Sequence, residues 1–170
     1  VRVVGVDPGK TGALAFLTLT DGLPTALECL DMPCLMVGKR GHVDAWALAR
    51  EVDARCKADD EPLAALILEQ GGVRPQNGRV GAASFWLGVG EVRGVFAAHL
   101  IRLEVVTPAG WKRALGVVGE KDASRFRASQ IFPAWSGQWS RAKDHGRAEA
   151  ALIALHGANR ILAQPAKLYA

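Results

Sequence analysis

A chain of 170 residues, 49% hydrophobic and 22% charged, has the balance of one globular domain large enough to bury a core. No apolar run reaches the roughly 18 residues of a membrane span and none has the pattern of a signal peptide, so no membrane partner is expected. Cys29, Cys34 and Cys56 are odd in number and form no C-x-x-C pair, which argues against a disulfide framework or a zinc knuckle and fits a reducing compartment, while the net charge of +4 leans mildly toward a polyanionic partner.

The chain opens VRVVGVDPGKTGALAFLTL, and its GKT resembles a phosphate-gripping loop. A Walker loop needs four residues between its first Gly and the GK, and it must run into a helix. Here only Val6, Asp7 and Pro8 intervene, and the apolar ALAFLTL that follows reads as a strand closed by Asp21-Gly22. Residues 1–6 and 13–19 are therefore predicted to form a hairpin, with Asp7 ending its first strand. Residues 25–32 supply a third strand, completing an antiparallel meander. A loop through Gly38, Lys39, Arg40 and Gly41 leads to a helix over 43–56, whose apolar residues recur at helical spacing.

LAALIL (63–68) is wholly apolar and reads as a central strand buried on both faces. Residues 71–81, rich in Gly, Pro, Asn and Arg, form a loop before a second helix over 82–99. Gly88, Gly90 and Gly94 each destabilise that helix by about 1 kcal/mol relative to Ala, so close approach of another backbone, within the fold or across a dimer, is expected there. A fifth strand (101–107), short helices around 109–115 and 122–132, and a last helix over 144–156 complete the chain. Trp135 and Trp139 lie between basic residues and could stack on bases, but their spacing of four on a short helical segment favours the core.

Chemistry gathers at the strand ends. A buried strand seldom ends in a carboxylate without a partner, because an unpaired charge out of water is costly. Asp7 and Glu69 each end such a strand, and as sheet neighbours they would face one region. KDHGRAEAAL opens the last helix and offers Asp144, His145 and Glu149. His145 and Glu149 are four apart and share a face. Asp144 and Glu149 are roughly 140° apart on an ideal helix and converge only through a bend at Asp144. Oxygen ligands drawn from separate elements suit hard ions such as Mg²⁺, and a pair of them suits phosphodiester hydrolysis. His42, His99, His145 and His156 are too scattered for zinc.

In chain order, GVDPGKTGALAF, ILEQ, TPAGWK, KDASRFRASQIFP and KDHGRAEAALIALHG resemble the RuvC-type Holliday junction resolvases of the ribonuclease H-like superfamily. The chloroplast branch, the monokaryotic-chloroplast resolvases of plants and algae, is the most similar through WKR, the SR-plus-FP segment and DHGRAEA. The resemblance implies an α/β fold with a five-stranded mixed sheet, three strands antiparallel and two parallel, with helices on both faces. It also implies a nuclease domain over 1–160 with a tail over 161–170, and a homodimer that nicks four-way DNA junctions symmetrically. Asp7, Glu69, Asp144 and Glu149 would hold two Mg²⁺ ions, for which Mn²⁺ substitutes. Relatives often space the last pair by three, and Gly146 occupies that position here, which leaves Asp144 or His145 as the fourth ligand. Lys112 would sit beside the scissile phosphate.

Residues 71–81 take the place where relatives contact bases, without the aromatic wedge that bacterial members carry. Gln70, Gln76 and Asn77 are the candidates for base edges, and Arg74, Arg79, Lys112, Arg113, Lys121, Arg125 and Lys143 for the DNA backbone. A chloroplast nucleoid location follows from the resemblance, with a transit peptide absent from this chain, and a cytoplasmic one otherwise. Rival readings are an RNA-processing nuclease of the same superfamily and a junction-binding protein that does not cut. A sugar kinase or actin-like ATPase matches D-x-G-x-T at Asp7, Gly9 and Thr11 but needs two domains, so no nucleotide cofactor is expected.

Overall fold

In the computed structural model, which describes residues 1–57, 61–71, 78–119 and 122–164, the chain begins with strands β1 (Arg2–Asp7), β2 (Ala13–Thr20) and β3 (Leu23–Asp31). A hairpin of β4 (Cys34–Val37) and β5 (Arg40–Val43) precedes helix α1 (Ala45–Lys57), strand β6 (Leu63–Glu69), helix α2 (Gly78–Ala98) and strand β7 (Leu103–Val106). Helices α3 (Pro108–Ala114) and α4 (Ala123–Ile131), two 3₁₀ segments (Pro133–Trp139 and Ala142–Asp144) and helix α5 (His145–Ala163) follow. The main sheet has the order β3-β2-β1-β6-β7. Strands β1 to β3 are antiparallel, and β6 and β7 run parallel to β1. This is the mixed five-stranded sheet expected from the sequence.

Side-chain alternation divides the core between the two faces. Val4, Val6, Leu14, Phe16, Leu66 and Leu68 pack toward Leu48 and Val52 of α1 and Val89, Val92 and Phe96 of α2. Val3, Ala13, Ala15, Leu17, Ala65 and Ile67 pack toward α5, α4 and Trp111. Gly5 belongs by parity to the α5 face. A Cβ there would overlap the Ala150 carbonyl and the Ala154 amide, and one on Gly157 would overlap the Ile67 side chain. The small residues of α5, Ala148, Ala150, Ala151, Ala154 and Ala158, are wholly buried. Helix and sheet backbones therefore lie closer than larger side chains would permit.

Several elements differ from the expectation. The loop at Gly38–Gly41 is the turn of the β4–β5 hairpin, with Cys34 opposite Val43 and Val37 opposite Arg40. Gly38 has φ 61 and supplies the positive φ that a type II′ turn needs at its first central position. Helix α2 starts at Gly78 rather than 82, and α5 runs on to Ala163 rather than 156, past the expected start of the tail. Gly88 has a close neighbour, since a Cβ there would lie 2.9 Å from Val43 Cγ2, but Cβ atoms on Gly90 and Gly94 would meet nothing within 4 Å. Within the chain, only the first of these three glycines is crowded, and by a side chain rather than by the backbone expected. Trp139 is buried and packs edge-on to Phe132 at 6.3 Å, with half-buried Trp135 beside the same ring at 6.4 Å, which makes both core residues.

The long edge strand β3 is partly covered by one side chain. Gln138 Nε2 donates to the Leu27 carbonyl at 2.9 Å, and the Cys29 amide donates to Gln138 Oε1 at 2.7 Å. One amide thus does for β3 what a neighbouring strand would do, on an edge otherwise open to pairing.

The close approach at Gly5 predicts a severe response to a single methyl group. Gly5→Ala should destabilise the fold by about 3 kcal/mol or more, because backbone rather than a flexible side chain must give way. Urea unfolding followed by circular dichroism measures it, and a midpoint shift worth under about 1 kcal/mol would contradict the packing described.

Candidate active site

The parity that places Gly5 against α5 also aims the strand ends. Val3, Gly5 and Asp7 share one face of β1, as Ala65, Ile67 and Glu69 share the same face of β6. Val6 pairs with Leu68, so Asp7 and Glu69 stand one step beyond the paired register, side by side. Both point to the N-terminal end of α5. There Glu149 completes a cavity of about 380 Å³ lined also by Pro8, Thr11, Gly71, Phe85, Pro108, Lys112 and His145.

Each carboxylate has identifiable neighbours. Trp111 Nε1 donates to Glu69 Oε1 at 2.7 Å. Ser124 Oγ donates to Glu149 Oε1 at 2.9 Å, and Lys112 Nζ lies 3.3 Å from the same oxygen. Lys112 is held over the Trp111 ring at 5.1 Å, one residue along α3. Burial raises the Asp7 pKa to about 7, with the charges of Glu149 and Glu69 acting in the same direction and Lys112 against them. Lys112 therefore does not offset the burial of this carboxylate.

The bend expected at Asp144 exists, as the short 3₁₀ segment that meets α5, but it turns Asp144 away from the cavity. Asp144 is buried and accepts from Arg141 Nε at 2.8 Å, Arg141 Nη2 at 2.9 Å and the Arg141 amide at 3.3 Å. The Arg141 side-chain bonds hold its pKa down to about 2. It lines a different pocket, with Lys10, Thr11, Gly12, Asp31 and Lys143. His145, the first residue of α5, lines the cavity with Asp7, Glu69 and Glu149. Gly146 carries no ligand for a steric reason: a Cβ there would lie 2.7 Å from the Thr11 carbonyl oxygen. The N-terminus of α5 is pressed onto the β1–β2 turn, so a side chain three residues before Glu149 has no room.

The other candidates scatter. Lys112 is at the cavity. Gln70, Arg79 and Arg113 are exposed and absent from its lining, and Lys143 lines the neighbouring pocket. Arg125 is held by the carbonyls of Trp139 at 3.0 Å and Ser140 at 2.7 Å and by Asp122 at 2.9 Å, which fastens α4 to the 3₁₀ segment. Arg74, Gln76, Asn77 and Lys121 lie outside the described residues. Sequence reasoning missed Trp111, Ser124, Phe85 and Thr11. For Trp111 a signal was present, an indole one residue before the candidate lysine; for Ser124 none was.

The donor set, three carboxylates and an imidazole on the three elements β1, β6 and α5, fits a hard divalent cation. Among the described residues no three His, Cys, Asp or Glu side chains yet stand close enough together to hold one. Ser124, Trp111 and Lys112 occupy oxygens that a cation would claim.

No family model and no curated protein sequence matches the chain. Solved structures do. Thermus thermophilus RuvC superposes with a TM-score of 0.62 at 19% identity, over 95% of this chain and 96% of that one. T. thermophilus RuvC in complex with a Holliday junction substrate gives 0.60 at 18%, over the same shares. Fowlpox virus resolvase in complex with its substrate Holliday junction DNA gives 0.51 at 14%, over 96% and 100%. The fold is therefore the ribonuclease H-like fold of RuvC, across nearly the whole chain.

Beside the neighbouring pocket, Arg147 bridges α5 to the end of β3, with Nε and Nη2 each 2.7 Å from an Asp31 oxygen. That hydrogen-bonded pair lowers the Asp31 pKa. The unfolded chain therefore takes up this proton first on acidification, so the stabilisation is present above about pH 4 and is lost as pH falls through the lowered folded value. Asp31 is 65% exposed, so screening limits the effect to under about 1 kcal/mol. Asp31→Asn should lower the melting temperature by about 2–4 °C or less at pH 7, with the difference closing as pH falls through the lowered folded value. Thermal melts from pH 7 down into the acid range test this, and a difference independent of pH would contradict it.

Proposed function

We propose that this protein is a Holliday junction resolvase, a divalent-metal-dependent endonuclease that nicks four-way DNA junctions in pairs. The observation that carries the reading is the convergence of Asp7, Glu69, Glu149, His145 and Lys112 on one open cavity at the strand ends. The fold adds support, since the similar T. thermophilus and fowlpox virus proteins are described in complex with Holliday junction DNA. Asp7, Glu69 and Glu149 would hold two Mg²⁺ ions, with His145 rather than Asp144 as the fourth ligand. Divalent cations bound by these groups supply the activation of water and the charge stabilisation that phosphodiester hydrolysis requires.

The chain's own residues prepare that chemistry. Trp111 and Ser124 orient Glu69 and Glu149 by donating to one oxygen of each. Lys112, 41% exposed and 3.3 Å from Glu149, is free to turn to a phosphate once Glu149 is otherwise engaged. Phe85 covers Gly71, whose missing side chain lets the ring lie against the backbone at the cavity rim. The finer placement in the chloroplast branch, with residence in the nucleoid, rests on the WKR, SR-plus-FP and DHGRAEA blocks of the sequence.

A labelled immobile junction, incubated in Mg²⁺ beside linear duplex and structured RNA, tests the activity. Paired nicks on the junction, reduced on the order of a hundredfold or more by Asp7→Asn while binding persists, are the expected result. Preferential cutting of RNA would replace the resolvase reading with an RNA-processing one. Binding without cutting in any divalent ion would leave a junction-binding protein.

Paired cutting needs two sites in fixed relation, and the outer face of α2 supports a homodimer. Leu87 and Trp86 are 53% and 44% exposed there, and Gly90 and Gly94 leave open space for a second backbone. Leu87→Arg should convert a dimer to a monomer in sedimentation at micromolar concentration and uncouple the two nicks. A wild-type chain that sediments as a monomer with and without junction would contradict the dimer.

A further inference from the structure

The GKT of the first turn, which is not a nucleotide loop, still carries a lysine that the proposed chemistry does not use. Lys10 lines a pocket of about 220 Å³ with Thr11, Gly12, Asp31, Lys143 and Asp144. Thr11 lines this pocket and the carboxylate cavity alike, so the two are neighbours across one residue. The charges within it are unequally matched. Asp31 is engaged by Arg147 through both its oxygens, and Asp144 by Arg141 likewise. Lys10 and Lys143 are exposed, and neither forms a salt bridge among the described residues. With both acids already neutralised by arginines, the two ammonium groups give the pocket a net positive charge beside a net negative one.

Resting on the nuclease reading above, we infer that Lys10 and Lys143 form a second phosphate seat, across Thr11 from the carboxylates, which holds a backbone phosphate flanking the one that is cut. Phosphate contacts fix the register of a strand without reading its bases. The seat thereby sets which phosphodiester enters the carboxylate cavity, and Lys10 and Lys143 are positioning residues. The stem of Lys10 passes beside the hairpin, where a Cβ on Gly41 would lie 3.4 Å from Lys10 Cδ.

The test pairs a double variant, Lys10→Ala with Lys143→Ala, with junctions carrying a neutral methylphosphonate one or two nucleotides to either side of the cut. Both lysines are exposed, and an unchanged melting temperature verifies the fold. In divalent-free buffer the slope of log affinity against log salt should fall by about 1 in the variant, as for one phosphate shared by two lysines. In single-turnover cleavage, one flanking methylphosphonate should slow the wild type about tenfold and slow the double variant no further. An unchanged salt slope, or the same methylphosphonate effect in both proteins, overturns the seat. A wild type that binds the junction but does not cut it overturns the nuclease reading, and the seat is then judged by the salt slope alone.

Discussion

The backbone of β1 touches the backbone of α5 at Gly5, and the carboxylate cavity exists because of it. Gly5 and Gly157 remove the side chains that would hold helix and sheet apart, and five alanines let α5 settle into the space. Glu149 is the residue just before Ala150 on that helix, so its distance from Asp7 is set by the height of α5 above the sheet. The arrangement must overcome repulsion. Even at about 4 Å, two like charges repel by no more than about 1 to 4 kcal/mol at the effective dielectrics of water-exposed and partly buried sites, which bounds the repulsion here. Burying Leu152, Ile153 and Leu155 on the same helix contributes on the order of 5 kcal/mol. Apolar packing therefore wins, and its cost appears in the raised pKa of Asp7, which burial causes first and the charges of Glu149 and Glu69 second.

The same helix start sorts two adjacent acid-bearing regions into different electrostatic states. Asp31 and Asp144 are closed off by bidentate arginines, one on α5 and one just before it. The cavity side sets Asp7, Glu69 and Glu149 against Lys112 and His145. Fork-shaped guanidinium groups suit the first task because they hold a carboxylate in fixed geometry. A single flexible lysine suits the second, because it can leave Glu149 without disturbing the backbone. Between them, Gly146 presses against Thr11 and makes the wall that separates the regions one residue thick.

Much of this was legible because it depends on short-range pattern. Apolar strands ending in Asp7 and Glu69, with alternation placing both on one face, needed no knowledge of distant contacts. Glu149 stood out as an acid within the apolar run of α5. The choice between Asp144 and His145 was not legible, because two neighbouring residues at a 3₁₀-to-α junction point in directions fixed by a few degrees of backbone and by what Arg141 does. The block at Gly146 depends on a turn more than a hundred residues away in sequence. The hairpin of β4 and β5 was read as a loop because Gly38-Lys39 is a weaker turn signal than Asn-Gly, and its strands have four residues each. Gln138 against β3 and Ser124 against Glu149 are single long-range hydrogen bonds, which leave no periodic trace.

Charge counts along the sequence also mislead in a consistent way, and the reason lies in the difference between arginine and lysine. Arg125, Arg127, Arg141 and Arg147 crowd the C-terminal half of the sequence, as a surface for a polyanion would. Yet Arg125 binds the carbonyls of Trp139 and Ser140, Arg127 binds the Leu115 carbonyl and Gln130, and Arg141 and Arg147 bind carboxylates. These guanidinium groups are internal fasteners. Where Lys or Arg lines the cavity and its neighbour it is lysine each time, at Lys10, Lys112 and Lys143. An ammonium on a flexible stem loses little by exchanging water for a phosphate, whereas a forked guanidinium already holding two carbonyls would have to break the fold to do so. Among the described residues, the lysines that face the two pockets thus gather about the turn between β1 and β2.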